Sequence, residues 1–152
     1  MGCGNTSSSP ISNTFASPEA LAAAVLGAVE RRDLAALRAV ALSEQEFREH
    51  VWPELPAARP ERNLPFSYVW GDLRQKSEAS LAETLARHGG HRYALVSVRN
   101  DGATTQYPSY EVRRDTVLGV RDEAGMMVDL RVVGSIIRKD GMWKVFSYVV
   151  DE

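Results

Sequence analysis

Apolar positions follow two different periods along the chain, and the change falls at Gly89-Gly90. Before the two glycines, apolar residues recur at steps of three and four, which is typical of one face of a helix. After them, apolar and polar residues alternate, which is typical of strands with one buried face. Helices followed by strands predict an α+β domain in which the helices pack on one face of an antiparallel sheet.

The first third of the chain carries the start signals of three short helices. Ser17-Pro18-Glu19 offers a capping hydroxyl, a proline in the first turn and an acid near the positive end of the helix dipole. Asp33 is the expected cap of a second helix, and Ser43 with Glu46 forms the capping-box pattern of a third. Residues 52–65 are predicted to be a stiff loop, because regular structure is interrupted there by Pro53, Pro56 and Pro60.

A long helix is predicted from Phe66 to about His88. Its apolar face follows steps of three and four and consists of Phe66, Trp70, Leu73, Ser77, Leu81, Leu85 and His88. Gly89-Gly90 ends the helix, as glycine commonly does just past a helix terminus.

Four consecutive strands are predicted after the glycines, over residues 91–99, 107–121, 126–138 and 142–150. Glycine-containing turns at 100–102, 122–125 and 139–141 separate them. Strands joined by short loops make an antiparallel meander. The predicted fold is therefore α+β, with N-terminal helices packed on a curved four-stranded antiparallel meander.

Composition limits the partners of this domain. The 152 residues carry a formal net charge of -2, so no basic surface indicates nucleic acid. One cysteine cannot form a disulfide within the chain, and no apolar run approaches the roughly 20 residues that span a bilayer. We therefore expect a single domain over residues 17–152, with no nucleic-acid partner and with membrane contact only through a lipidated N-terminus.

Residues 1–16 are predicted to be a flexible tether. Cys3 follows Gly2 directly, and residues 4–17 are rich in Gly, Ser, Asn and Thr. A Gly-Cys pair followed by such a segment resembles the mature start of bacterial lipoproteins, in which the cysteine is lipidated after an apolar signal segment is removed. The resemblance implies a lipid anchor on Cys3 and a place in the cell envelope, and it requires a signal segment before Met1.

Two other interpretations of the N-terminus stay open. Residues 1–6 also fit the N-myristoylation pattern, with Gly2 as the acceptor and Cys3 as a palmitoylation site. Two acyl chains would give stable anchoring where one would not. Alternatively, Cys3 is an unmodified cysteine in a leader segment, and the protein is then cytoplasmic.

The order of elements and the closing hairpin together resemble a known superfamily. Short helices, a long helix and long antiparallel strands ending in GSIIRKDGMWKVFSYVVDE look like the nuclear transport factor 2-like superfamily, with its cystatin-like, cone-shaped fold. The resemblance implies a pocket between the long helix and the concave sheet, and dimers formed through an exposed sheet face. Its members include ketosteroid isomerase, polyketide cyclases, dehydratases and domains that only bind, so the fold alone does not choose an activity.

Six residues are candidates for the wall of such a pocket. They lie on the long helix and on alternate positions of the predicted strands: Tyr68, Trp70, Asp72, Tyr110, Arg114 and Trp143. None sits in a motif that corresponds to the isomerase or cyclase sites, so the catalytic residues stay unknown. His88 and His91 flank the two glycines, but no third ligand follows at a recognised spacing, and we expect no metal.

Three functions are consistent with this sequence. The first is a non-catalytic module, without a cofactor, that binds a small apolar ligand or another protein and forms a homodimer. The alternative is an isomerase- or cyclase-like enzyme, and the third is a structural dimer with a filled cone. An enzyme predicts a titratable carboxylate or histidine in an open apolar cavity, a binding module predicts the cavity without that group, and a structural dimer predicts no cavity.

Overall fold

The computed structural model describes residues 10–150 and has the predicted α+β organisation, with helices first and antiparallel strands after them. Four α-helices lie in this part of the chain: α1 (Pro18–Glu30), α2 (Leu34–Ala39), α3 (Glu44–Glu46) and α4 (Phe66–His88). Cys3 and most of the predicted tether lie outside the described residues. Among residues 10–150, no helix combines the length and the apolar character that crossing a bilayer requires.

The helices begin where the capping residues predict. The Ser17 hydroxyl accepts a hydrogen bond from the Ala20 amide at the start of α1, and Ser43 forms the reciprocal capping box with Glu46 at the start of α3. After α3 the backbone continues as a π-helical turn over Phe47–Val51. The proline-rich segment is more regular than predicted, because it forms three short 3-10 turns, at Trp52–Glu54, Pro56–Ala58 and Pro60–Arg62.

The strands are shorter and more numerous than predicted. In the described residues they are β1 (Ala94–Asn100), β2 (Thr104–Gln106), β3 (Glu111–Arg114), β4 (Thr116–Arg121), β5 (Met127–Leu130), β6 (Ser135–Lys139) and β7 (Met142–Ser147). The predicted strand 107–121 is divided at Asp115, whose φ of 56° is incompatible with extended backbone. The predicted strand 126–138 is divided before Gly134, where a Cβ would overlap the carbonyl oxygen of Val149.

These interruptions turn the expected four-stranded meander into two antiparallel sheets. Their strand orders are β1-β4-β5 and β2-β3-β6-β7. The division points lie side by side, since the Thr116 amide donates to the carbonyl oxygen of Gly134 over 3.1 Å. Each long predicted strand therefore contributes one segment to each sheet.

Two hydrophobic clusters form the interior of the described part of the molecule. The main core packs α1 and Leu37 of α2 against both sheets, and α1 contributes Leu21, Ala22, Val25, Leu26, Ala28 and Val29. The aromatic cluster is centred on Phe47, whose ring centroid lies 5.2 to 6.2 Å from those of Phe66, Trp70 and Phe146. The two faces of β7 are divided between these clusters, with Trp143 and Val145 in the main core and Phe146 in the aromatic cluster.

The segment just before α1 is fastened to β7. Phe15 and Trp143 exchange two backbone hydrogen bonds of 2.9 and 2.7 Å. Lys144 donates to the Ser12 carbonyl oxygen over 2.7 Å and forms a buried ion pair of 2.8 Å with Glu46. Residues 12–15, which the sequence placed within the tether, thus cover the outer edge of β7.

Candidate functional site

A cavity of about 410 Å³ lies beneath α4, and it is called the α4 cavity here. Its walls come from α4, from the end of β7 and the residues after it, and from the connection between α2 and α3. The apolar part of the lining consists of Ala41, Leu42, Trp70, Leu73, Leu81 and Phe146. The polar part consists of Arg38, Ser43, Arg74, Ser77, Glu78 and Tyr148.

The apolar face predicted for the long helix is the face that lines this cavity. Trp70, Leu73, Ser77 and Leu81 are spaced by three and four residues, so they lie in one row along α4. Leu81 is buried, whereas the other three are half-buried and line the cavity. The α4 cavity lies where the two clusters meet, since Leu73 belongs to the aromatic cluster and Leu81 to the main core.

Most polar groups of the lining are held by protein partners. The Tyr148 hydroxyl donates to the Leu37 carbonyl oxygen over 2.6 Å, and burial raises the pKa of this hydroxyl. The Ser77 hydroxyl oxygen accepts from the Tyr148 amide over 3.3 Å. The Ser43 hydroxyl is engaged as the cap of α3. These groups stabilise the wall and are not free to bind a ligand strongly.

One ion pair lies at the mouth of the cavity. The Arg38 guanidinium donates to both carboxylate oxygens of Glu78, through Nε over 3.1 Å and through a second nitrogen. The hydrogen bond from Arg38 lowers the pKa of Glu78, and the charge of Arg74 adds to that effect. Glu78 is therefore a carboxylate at neutral pH and a weak base.

Arg74 differs from the other charged groups of the lining. It lies one turn before Glu78 on α4, is exposed at the cavity mouth, and forms no ion pair or hydrogen bond within residues 10–150. The lining therefore carries two guanidinium groups and one carboxylate, and that carboxylate is bound to Arg38. The mouth has an excess of one positive charge, located on Arg74.

Titratable groups are few in the lining of this cavity. It contains no histidine, and Glu78 is the single carboxylate in it. The described residues also contain no group of three or more His, Cys, Asp or Glu side chains able to hold a metal ion. What the α4 cavity offers is an apolar wall and one unpaired cation.

Of the six residues proposed from the sequence to line a pocket, Trp70 lies on the wall of the α4 cavity. Its indole Nε1 is buried and has no hydrogen-bond partner among the described residues. Tyr68 and Asp72, on the same helix, lie on its outer side: Tyr68 is exposed and Asp72 forms an ion pair with Lys76. Positions 68 and 72 fall outside the apolar row that lines the α4 cavity.

The three strand residues lie away from the α4 cavity. Tyr110 is buried in the aromatic cluster and donates to the Val51 carbonyl oxygen over 2.9 Å. Arg114 donates to the Thr105 hydroxyl at an exposed position. Trp143 is in the main core.

The sequence analysis did not identify Arg38 as a candidate. Its ion pair with Glu78 joins positions that are 40 residues apart, and no local pattern predicts such a contact.

A second cavity, of about 580 Å³, lies between the C-terminal half of α4 and β5. Charged side chains make up much of its wall, including Glu83, Arg87, Asp129 and Arg131.

The histidine His88 also lines this second cavity, but its Nδ1 is hydrogen-bonded to the Tyr93 hydroxyl at 2.8 Å, and burial lowers the pKa of this histidine. His91 lies apart and pairs with Glu123 over 2.9 Å. The lining of this second cavity exposes more polar than apolar surface, whereas the lining of the α4 cavity is mainly apolar.

The comparisons with protein-family models, with curated proteins and with solved structures found no match to this chain.

Proposed function

We propose that the chain is a non-catalytic module that binds a small, largely apolar molecule in the α4 cavity. The observation that carries the proposal is a cavity of about 410 Å³ with six apolar side chains in its lining. This volume falls in the range of about 300–1,000 Å³ that is usual for small-molecule sites. A purely structural domain would gain stability by filling such a space, because empty apolar cavities are costly.

The cone-shaped fold of the nuclear transport factor 2-like superfamily is part of the same proposal. Helices that precede bent antiparallel strands support it. A cavity between the longest helix and the last strand also lies where the resemblance places the pocket. In this proposal α4 lies across the open end of the cone, and β7 forms part of the inner wall of the cone.

The isomerase- or cyclase-like alternative is less favoured by the side chains of the cavity. Such an enzyme needs a carboxylate or histidine whose pKa is tuned close to neutral pH. Glu78 has a lowered pKa because Arg38 binds it, and the lining holds no histidine. No second group of the lining is placed to exchange a proton with a ligand.

Binding is tested by calorimetric titration of the full chain with octan-1-ol, whose apolar chain suits the wall. Leu73→Trp should weaken binding at least tenfold, because the larger side chain occupies the cavity. Leu64→Trp is the matched control, since Leu64 is exposed and outside the lining. Equal affinity of the two variants, each folded by circular dichroism, would contradict the proposed site.

We further propose that a lipid on Cys3 tethers this module to the cell envelope. The support is the sequence of the leader, together with the fastening of residues 12–15 to β7, which sets where the tether joins the domain. The test is mass spectrometry of the N-terminal peptide from membrane and soluble fractions of a bacterial host that expresses the full precursor. A diacylglyceryl-scale mass that disappears in Cys3→Ser supports the anchor, and an unmodified soluble protein contradicts it.

A homodimer through a sheet face is the proposed assembly. Val96 on β1 and Met127 on β5 are exposed apolar residues of the β1-β4-β5 sheet, whereas both faces of β7 are already covered by the chain itself. Light scattering with size-exclusion chromatography should give twice the chain mass. Met127→Lys should shift the protein to a monomer, and a monomeric wild type would rule this assembly out.

A further inference from the structure

We propose that Arg74 makes the α4 cavity selective for a monocarboxylate, an apolar molecule that ends in one carboxylate group. This inference rests on the proposed function and adds the chemical class of the ligand. Its basis is the contrast between two arginines at one mouth. Arg38 has its carboxylate within the protein, whereas Arg74 has none among the described residues.

The arrangement of charge around the mouth supports this choice. Glu78 lies one helical turn after Arg74 on α4, but its two oxygens both accept hydrogen bonds from Arg38. A ligand carboxylate would therefore find an unpaired guanidinium at Arg74 rather than displace an existing pair. The planar guanidinium matches a carboxylate in two parallel hydrogen bonds, which a hydroxyl cannot reproduce.

The other polar groups of the lining favour an apolar body for the same ligand, because they already have partners within the protein. The hydroxyl of Tyr148 is engaged with the Leu37 carbonyl oxygen, and that of Ser77 accepts from the Tyr148 amide. Leu73, Trp70 and Phe146 supply apolar surface in the same lining. A molecule with its charge at one end fits this lining, because its charged end stays at the exposed Arg74 and its apolar end is removed from water.

The experiment compares octanoate with octan-1-ol, two probes of equal chain length that differ in the head group. Calorimetry on the full chain at low salt should give octanoate the higher affinity, by roughly five- to tenfold, the range between an exposed ion pair and a charge-assisted hydrogen bond. Raising the salt concentration should weaken octanoate binding and leave octan-1-ol binding unchanged.

Substitutions on α4 separate the effect of the positive charge of Arg74 from the effect of the net charge of the protein. Arg74→Gln should bring the two affinities to within about twofold by weakening octanoate binding, and Arg74→Lys should retain part of the preference. Lys76→Gln is the matched control, because Lys76 is an exposed cation of α4 outside the lining. All three replacements are good helix formers on an exposed helix surface, so the fold should persist.

The results of these titrations test the role of Arg74 separately from ligand binding in the α4 cavity. If both probes bind equally, or if Arg74→Gln keeps the preference, the role of Arg74 is overturned while ligand binding in the cavity stands. If neither probe binds the wild-type chain, the binding function itself fails, and the inference fails with it. A preference for octanoate that is lost in Arg74→Gln alone supports both.

Discussion

The two longest helices of the described chain pack in opposite ways. Of the 13 residues of α1, six are buried apolar side chains in the main core. Of the 23 residues of α4, only Leu81 and Thr84 are buried. Helix length therefore does not measure contribution to the core: α1 is enclosed by packed side chains, whereas α4 spans a space that its apolar row lines without filling.

Two ion pairs repeat this contrast. Glu46 and Lys144 are almost fully buried, with side-chain exposures of 10% and 3%. Glu78 and Arg38 lie at the cavity mouth and are 37% and 53% exposed. The first pair joins α3 to β7 inside the protein, and the second lies in water. The enclosed region and the open region thus differ in their helices and in their charges, and each difference can be tested.

The largest expected effect is on the buried pair. Lys144→Met leaves the Glu46 carboxylate buried without its partner and should cost about 3–5 kcal/mol in the free energy of unfolding. Urea denaturation followed by circular dichroism measures this loss. The double variant Lys144→Met/Glu46→Leu should recover part of it, because an apolar pair leaves no unpaired charge, although the hydrogen bonds from the Ser43 and Ser12 amides to Glu46 are lost. A small loss in the single variant would remove the contrast between the two ion pairs.

The same substitution in the two helices should give unequal losses. Leu21→Ala in α1 should cost about 2–5 kcal/mol, because it opens a cavity in the packed main core. Leu73→Ala in α4 should cost less, roughly 1 kcal/mol, because this side chain is half-buried and already faces a cavity. The readout is the unfolding midpoint in urea at an unchanged slope. Equal losses would mean that α4 is packed as tightly as α1.

The buried pair should also make stability depend on pH. Burial by itself would raise the pKa of Glu46, but hydrogen bonds from Lys144, Ser43 and Ser12 outweigh it and hold the pKa below its usual value of 4.5. The unfolded chain then binds this proton more readily, so the stabilisation is present above about pH 4.5 and is lost as the pH falls through the folded pKa. Unfolding measured from pH 6 to pH 3 should show a steeper loss for the wild type than for Glu46→Gln. Parallel curves would count against this assignment.

The smallest expected effect on stability is at the exposed pair. Arg38→Gln should leave the urea midpoint of unfolding almost unchanged, because exposed ion pairs are screened by water and salt. The same variant should raise the pKa of Glu78 toward its ordinary value, since the hydrogen bond from Arg38 is the largest cause of its lowering. Carboxyl titration by NMR measures this shift. A large loss of stability would show that the mouth of the cavity is structurally as important as the core.

Much of the local structure was predictable from neighbouring residues. The caps at Ser17 and Ser43 and the end of α4 before Gly89 depend on contacts within one turn of helix. The apolar row of α4 was also predictable, because its period depends only on helix geometry. The strand divisions were not: the left-handed backbone of Asp115 and the close approach of Val149 to Gly134 produce no break in the alternation.

Local sequence patterns were sufficient to predict the α+β fold class, the helix starts and the face of α4 that turns inward. What that face meets, a cavity at the junction of two hydrophobic clusters, depends on the packing of the whole domain. The same packing also decided which charges find partners, since Glu46 and Lys144 are 98 residues apart and Arg38 and Glu78 are 40 apart. Caps and periodic faces arise from contacts within a few residues, whereas a cavity and its unpaired charge depend on how segments distant in the sequence pack together.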